Sequence, residues 1–248
     1  MNSLSIVIPV FNEQDNITPL IHEVVRHLRG HIVFDILCVD DHSDDATRDV
    51  LAALMAQVPE LRALSHRQRC GQSAAIRTGV KHALAPWIAT LDGDGQNDPA
   101  DILRLLDART KADAATRLFA GWRVDRQDTA SKRWASRWAN AIRSRALRDA
   151  TPDTGCGIKL FERAAFLDLP YFDHMHRYLP ALMQRAGWKT VSVPVSHRPR
   201  EAGQSKYTNL GRALVGIRDL LGVAWLIQRS HVASASDISA RQPTERTR

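Results

Sequence analysis

The sequence predicts an α/β protein: a largely parallel sheet with helices on both faces. Three observations carry that reading. Short apolar runs alternate with helical patterns through the first half of the 248 residues. Polar clusters follow the first, second and fourth of those runs, at the strand ends where open α/β sheets bind ligands. No internal repeat and no Pro/Gly-rich linker interrupts the pattern, so one domain is expected to about residue 209.

The elements follow in order. "LSIVIPV" is a strand. "TPLIHEVVRHL" then places Leu20, Ile21, Val24, Val25 and Leu28 on one helical face, with Thr18 as the expected N-cap and Pro19 as the first helical residue. "DILCVD" is the second strand and "ATRDVLAALMAQ" its helix. "LRALSH" is a weaker third strand, followed by the helix "QSAAIRTGVKHAL". "WIATLD" is the fourth, and "PADILRLLDA" the next helix, with Asp98 expected as its cap and Pro99 at its first position.

Composition bounds function less tightly. Hydrophobic content of 44% and charged content of 25% are ordinary for a soluble domain. The formal net charge of +7 favours an anionic partner: nucleic acid, a phosphorylated substrate or an acidic membrane surface. Cys38, Cys70 and Cys156 are scattered, with no CxxC, which argues against a disulfide framework or structural zinc and for a reducing, cytoplasmic setting. The first residues lack the basic and small-residue features of a signal peptide. No stretch reaches the roughly 20 apolar residues of a spanning helix. The polar tail, 230–248, is expected to be disordered.

The chemistry concentrates in "LDGDGQNDP". Asp92 and Asp94 share one side of an extended chain, with Gln96 two residues on and Gly93 and Gly95 between them. Carboxylate and amide oxygens are hard ligands that suit Mg²⁺ or Mn²⁺. A solvated turn with a helix cap accounts for the same residues when they are taken alone. Asp40 and Asp41 end the second strand, where a carboxylate can accept hydrogen bonds from a base or ribose. Asn12 and Glu13 follow Pro9 in the first loop. Asp153 precedes a turn flanked by Gly155 and Gly157, which allow close backbone approach to a ligand.

Taken in order, "IVIPVFNE", "VDDHSDDAT", "RCGQSAAIRTG", "LDGDGQNDP", "DTGCGIKLF" and "RPREAGQSKY" resemble the motifs of family 2 glycosyltransferases, over roughly residues 4–228. The similarity is greatest to the polyprenyl-phosphate sugar synthases, the dolichol-phosphate mannosyltransferase-like branch. "RCGQ" departs from the Asn- and Gly-rich loop of many relatives, and "DGDGQND" from their DADLQHP. The resemblance implies a GT-A fold, a Rossmann-like mixed and mostly parallel sheet. It implies that Pro9, Phe11, Glu13, Asp40 and Asp41 line a nucleotide pocket. Asp92, Asp94 and Gln96 would hold Mg²⁺ or Mn²⁺ against the donor diphosphate, and the basic loop bearing Arg198, Arg200 and Lys206 would contact the phosphates.

From Arg117 to Arg148 the chain is dense in Arg and Lys, with Trp122, Trp134 and Trp138 interleaved. Such a segment can bind single-stranded nucleic acid or sit among lipid headgroups. Arg123 and Arg126, beside a strand end, and Arg137, on a helical face with Arg133, are the candidates for the acceptor phosphate. Residues 210–229 form an amphipathic helix expected on the bilayer or packed beneath it.

The expected function is inverting transfer of a sugar from a nucleotide sugar to a polyprenyl phosphate, at the cytoplasmic face of the membrane. Asp94, Asp153, Arg123 and Lys206 would form the catalytic group. Transfer to a sugar hydroxyl is the alternative, with Asp153 as general base. A nucleic-acid module would leave the ordered motifs unexplained and is set aside. GDP-mannose, UDP-glucose and UDP-galacturonate stay open as donors. A membrane-protein partner and self-association stay open as well.

Overall fold

The computed structural model describes residues 3–124, 143–149, 151–196, 198, 209–229, 231 and 233. Arg126, Arg133, Trp134, Arg137, Trp138, Arg200, Lys206 and most of the tail lie outside the described residues.

A seven-stranded sheet organises the chain, in the order β3-β2-β1-β4-β6-β5-β7. The strands are β1 (Ser3–Val10), β2 (Val33–Asp40), β3 (Leu61–Ser65), β4 (Trp87–Thr90), β5 (Thr116–Arg123), β6 (Lys159–Glu162) and β7 (Lys189–Val195). The pairs β1–β2, β2–β3, β1–β4 and β5–β7 are parallel; β6 runs antiparallel to both β4 and β5. The sheet is therefore mixed and mostly parallel.

The helices beside it include α1 (Ile17–Leu28), α2 (Thr47–Met55), α3 (Gln72–His82), α4 (Asp101–Lys111), α5 (Arg163–Leu167), α6 (Leu179–Arg185) and α7 (Asn209–Arg229). A 3₁₀ turn, Met175–Arg177, precedes α6. Alternation along β1 divides the core. Leu4, Ile6, Ile8 and Val10 pack with α1, α2 and α4 on one face. Val7 on the other face joins Ile76 and Val80 of α3, Phe166 of α5, Leu182 of α6 and Val223 of α7. In α3, a Cβ on Gly79 would lie 2.4 Å from Val7 Cγ1, so the glycine lets this helix lie close against the sheet.

Two helix starts differ from expectation. Helix α1 begins at Ile17, because the Glu13 carbonyl accepts hydrogen bonds from the Asn16 and Ile17 amides and starts the turn before Thr18. Helix α4 begins at Asp101. Asp98 caps the preceding turn, its Oδ1 accepting from the Ala100 amide at 2.9 Å.

The topology fixes where the site must be. Strands β1 to β4, β5 and β7 all end at one edge, and β6, running the other way, begins there. The loops after Val10, Asp40, Ser65, Thr90, Arg123 and Val195, and the turn 153–157 that leads into β6, therefore converge.

Candidate active site

The first two loops are zipped together. Asn12, at φ 55°, donates its amide to Ser43 Oγ at 2.9 Å, and its Oδ1 accepts from the Asp44 amide at 3.0 Å. The Glu13 amide donates to Thr47 Oγ1 at 2.9 Å, and the Glu13 carboxylate accepts from Asn16 Nδ2 at 2.7 Å. The Phe11 ring lies beneath the Arg69 guanidinium, 4.0 Å from ring centroid to Cζ. Pro9 sits within β1, and its carbonyl oxygen is 3.1 Å from where a Cβ on Gly93 would stand. Glycine there lets the acidic loop close onto the end of β1.

Asp40 and Asp41 are both buried, and both are spent on internal bonds. Asp40 accepts from the Ser43 amide at 3.1 Å, from Arg48 Nε at 2.8 Å and from Ser65 Oγ at 2.8 Å. Burial works to raise its carboxyl, but the bonds from Ser43, Ser65 and Arg48 outweigh it and hold it below the ordinary carboxylate range. Asp41 takes the amides of Cys70 and Gly71, at 2.8 and 2.7 Å, and shares a 2.8 Å bond with His66 Nδ1. Gly71, at φ 88°, makes that turn. The expected bonds from these carboxylates to a base or ribose would have to use what lone pairs remain. Asp41, His66 and Cys70 also offer ligand atoms within 4.8 Å of one another, a set that could hold a metal ion. Their existing bonds assign them first to fastening the 66–71 loop.

The acidic loop after β4 is asymmetric. The Asp92 amide donates to Asn97 Oδ1 at 3.1 Å, and Asp92 Oδ1 accepts from Gln72 Nε2 at 2.8 Å. Its carboxylate lies against Gly157: a Cβ there would stand 2.1 Å from Asp92 Oδ2. Burial, and then the charge of Asp94, push the Asp92 carboxyl up to about 6, against the pull of Lys159 and Arg123. Asp94 is half-buried, and its Oδ1 accepts from the Gln96 amide at 3.2 Å. Gly95, at φ 72°, turns the chain so that Gln96 follows Asp94 closely. Two neighbouring carboxylates and an amide oxygen at a strand end are a hard-oxygen set that fits Mg²⁺ or Mn²⁺.

Across the sheet edge, Arg123 grips Asp153 bidentately. Its Nε donates at 2.7 Å, its Nη2 at 2.9 Å and its amide at 3.4 Å, and the Gly155 amide adds a bond at 3.2 Å. Burial disfavours the Arg123 charge, but the bond to Asp153 outweighs it and raises the guanidinium's affinity for its proton. The two residues expected to orient the acceptor thus hold each other. Arg198, expected on the donor phosphates, reaches Glu23 at 2.7 Å and Asp98 at 2.8 Å here, while its amide donates to the Gln96 carbonyl at 3.1 Å. It pins the exit of β7 to the acidic loop.

Sequence reasoning missed two members of this group. Gln72 opens α3 and holds Asp92. Lys159, buried at the start of β6, donates from Nζ to the Cys156 carbonyl and lies in the field of Asp92 and Asp153. Burial, above all, lowers its affinity for a proton. The signal in the sequence was a lysine two residues after Gly157, heading an apolar run.

Fold and edge together define a GT-A enzyme: a mixed sheet of this order with an acidic loop after β4 and a glycine turn entering the antiparallel strand. The family model described as Glycosyl transferase family 2 matches residues 5–169, and the chain belongs to that family. Its curated relatives include the dodecaprenyl-phosphate galacturonate synthase of Rhizobium johnstonii, 31% identical over 236 residues, 91% of this chain and 67% of that protein. They also include the undecaprenyl-phosphate 4-deoxy-4-formamido-L-arabinose transferase of Edwardsiella ictaluri, 32% identical over 207 residues, 82% of this chain and 62% of that one. The chain thus spans about two thirds of the length of these relatives.

Similar solved structures include glucosyl-3-phosphoglycerate synthase from Mycobacterium tuberculosis, with Mn²⁺, UDP and glucosyl-3-phosphoglycerate. It has a TM-score of 0.64 and 17% identity, over 94% of this chain and 82% of that chain. A mannosyltransferase from Pyrobaculum calidifontis, with GDP-Man and Mn²⁺, has a TM-score of 0.66 and 16% identity, over 93% and 65%. At these identities the likeness speaks to the fold.

Proposed function

We propose that the protein transfers a sugar from a nucleotide sugar to a polyprenyl phosphate, with inversion at the anomeric carbon. The observation that carries the choice of acceptor is the state of Asp153. Two side-chain bonds and a longer amide bond from Arg123, and one from Gly155, already occupy this carboxylate, the residue a hydroxyl acceptor would need as its base. A phosphate acceptor needs none: a monoester's second pKa is about 6, so the nucleophile is largely ionised at neutral pH. The pairing with Asp153 holds the Arg123 guanidinium fixed at the end of β5 as one candidate donor to that phosphate; Arg126 and Arg137, outside the described residues, are the other candidates. The curated relatives, named for transfer to dodecaprenyl or undecaprenyl phosphate, support the same acceptor class.

Asp94 would hold Mg²⁺ or Mn²⁺ together with Asp92 and Gln96, and the ion, when bound, supplies charge stabilisation to the leaving diphosphate. Phe11 and Arg69 form the wall for the base. Arg198 holds Gln96 and Asp98 in place, and Arg200 and Lys206, outside the described residues, are proposed to contact the phosphates. The dolichol-phosphate mannosyltransferase-like branch is one version of this reading. The relatives named above carry galacturonate or 4-deoxy-4-formamido-L-arabinose instead.

The site would work at the cytoplasmic face of an anionic membrane. No helix among the described residues is long and apolar enough to cross one. The support is helix α7, which shows Ile217, Leu221 and Trp225 to solvent beside Arg218. A membrane-protein partner or a second copy would compete for that ridge.

The test is turnover with a panel of nucleotide sugars, each offered a short polyprenyl phosphate or the matching polyprenol. Product with the phosphate alone is expected. Transfer only to hydroxyl acceptors would overturn the reading and promote Asp153 to general base.

A further inference from the structure

Lys159 is buried, and burying an ammonium is costly unless something compensates it. The strand register shows what does. Lys159 pairs with Thr90 across β6 and β4, and Thr90 Oγ1 donates to the Gly157 carbonyl at 2.7 Å. Two residues further along, the same antiparallel register sets Asp92 opposite Gly157, and the Asp92 carboxylate rests on that glycine. Asp92 and Lys159 are therefore a diagonal cross-strand pair on one face of the sheet, within reach for a long side chain. The ammonium is bonded to the Cys156 carbonyl, one residue from the glycine on which the carboxylate rests, and the two groups act on each other through the field rather than by a direct ion pair. Burial disfavours charge on both groups, and each charge favours the other.

Among the described residues, the charges that act on one another beside Asp92 are three carboxylates, Asp92, Asp94 and Asp153, against two cations, Lys159 and Arg123. A single net negative charge is a weak lure for a divalent ion. Magnesium and manganese of this class are held by one or two carboxylates together with substrate phosphates.

We propose that Lys159 is a built-in counter-ion for Asp92 that keeps free Mg²⁺ or Mn²⁺ off the acidic loop until a nucleoside diphosphate supplies the missing negative charge. Metal and nucleotide then enter the site together. The ordering rests on the nucleotide-sugar reading above; the electrostatic part does not.

The experiment measures Mn²⁺ binding to the full chain by the loss of the free-ion electron paramagnetic signal. It compares wild type, Lys159→Met and Lys159→Arg, each without nucleotide and with UDP or GDP, after subtracting the signal lost to the same nucleotide without protein. Wild type is expected to bind Mn²⁺ weakly alone and about tenfold or more tightly with one of the nucleotides. Lys159→Met should bind bare Mn²⁺ about tenfold more tightly than wild type, since a cation facing a divalent ion has been removed. Lys159→Arg should stay near wild type. A merely structural lysine predicts the opposite sign, because a loosened loop binds less well. Unchanged or weaker binding by a folded Lys159→Met protein overturns the proposal. So does wild type that already binds bare Mn²⁺ tightly, a result that overturns it even if the Met variant does not fold. Failure of both nucleotides to enhance binding would sink the donor reading, while the bare-metal comparison of wild type with Lys159→Met would still judge Lys159.

Discussion

Asp92 and Asp94 differ in their surroundings, and the difference sets what each can do. Both are half-buried, but Asp92 lies against Gly157, accepts from Gln72 and feels the charge of Lys159, while Asp94 accepts from the Gln96 amide. Asp94→Asn keeps the size and removes the charge. It should cut kcat by more than the roughly 10–100-fold that loss of a supporting partner costs a metal site, with circular dichroism unchanged. Near-normal rates, or full activity in excess EDTA, would remove the metal from this loop. Asp153→Asn separates the two acceptors. With a phosphate acceptor the nucleophile's own protonation shapes the low-pH limb of kcat/KM, so the limb should persist at about 6 while the rate falls through lost positioning. With a hydroxyl acceptor the limb should vanish along with most of the roughly 10²–10⁴-fold a general base contributes. The sequence showed Asp92, Asp94 and Asp153 because carboxylates beside glycines at strand ends stand out. Lys159 did not, because nothing local marks a lysine whose partner lies on another strand. The engagement of Arg123 with Asp153, and of Arg198 with Glu23 and Asp98, was equally invisible, since those partners lie 30 residues or more apart.

Helix α3 links the core to the site, with Gln72 at its start and Gly79 against Val7. Gly79→Ala drives a Cβ into the Val7 side chain, an overpacking worth about 1–3 kcal/mol. At about 2–4 °C per kcal/mol for a chain of this size, the Tm should fall by several degrees in a thermal melt. An unchanged Tm would mean that the helix backs away freely. The neighbouring 3₁₀ turn carries His176, whose Nδ1 shares a 2.7 Å bond with Ser73 Oγ of α3. Burial first, and then the charges of Lys159, Arg177 and His174, push its imidazole well below 6.5. The unfolded chain therefore binds more protons there, so stability is full above about 6.5 and declines as pH falls below it toward the native value. His176→Gln should flatten that part of the Tm–pH curve relative to wild type; parallel curves would show that the ring is protonated in the fold. Strands β1 to β4 and helices α1 to α4 were legible because each is a clean apolar run or period. Strand β5 was read only through its end beside Arg123, and β6 and β7 were not laid out. Strand β6 is four residues headed by a lysine, β7 is an edge strand with exposed alternate residues, and α5 is five residues long. Tertiary packing, more than local pattern, makes them.

At the scale of the molecule, helix α7 faces two ways. Leu220, Val223, Ala224 and Ile227 pack on the second core cluster. Tyr178 donates its hydroxyl to the Gly216 carbonyl at 3.3 Å, and His174 pairs with Asp219 at 3.0 Å. This side belongs to the fold, so deleting the helix would open the core and reveal nothing about a membrane. The other side holds Ile217, Leu221 and Trp225, each four residues from the next, at 57%, 67% and 62% exposure. An aromatic and two aliphatic side chains in a row, beside Arg218 on a chain of net charge +7, match the chemistry of an anionic bilayer surface. Point changes on this ridge alone are the clean test. Leu221→Asp with Trp225→Ser should leave the thermal melt intact, since neither residue supports the core, and should weaken sedimentation with anionic liposomes about tenfold or more. That is a conservative figure when a fully buried large apolar side chain is worth about 1.5–3 kcal/mol. Added salt should weaken the wild type through its basic surface and leave a salt-resistant residue that the double variant lacks. Equal liposome binding by the two proteins would place the contact elsewhere. A shift in oligomeric state without loss of liposome binding would give the ridge to a second copy of the chain.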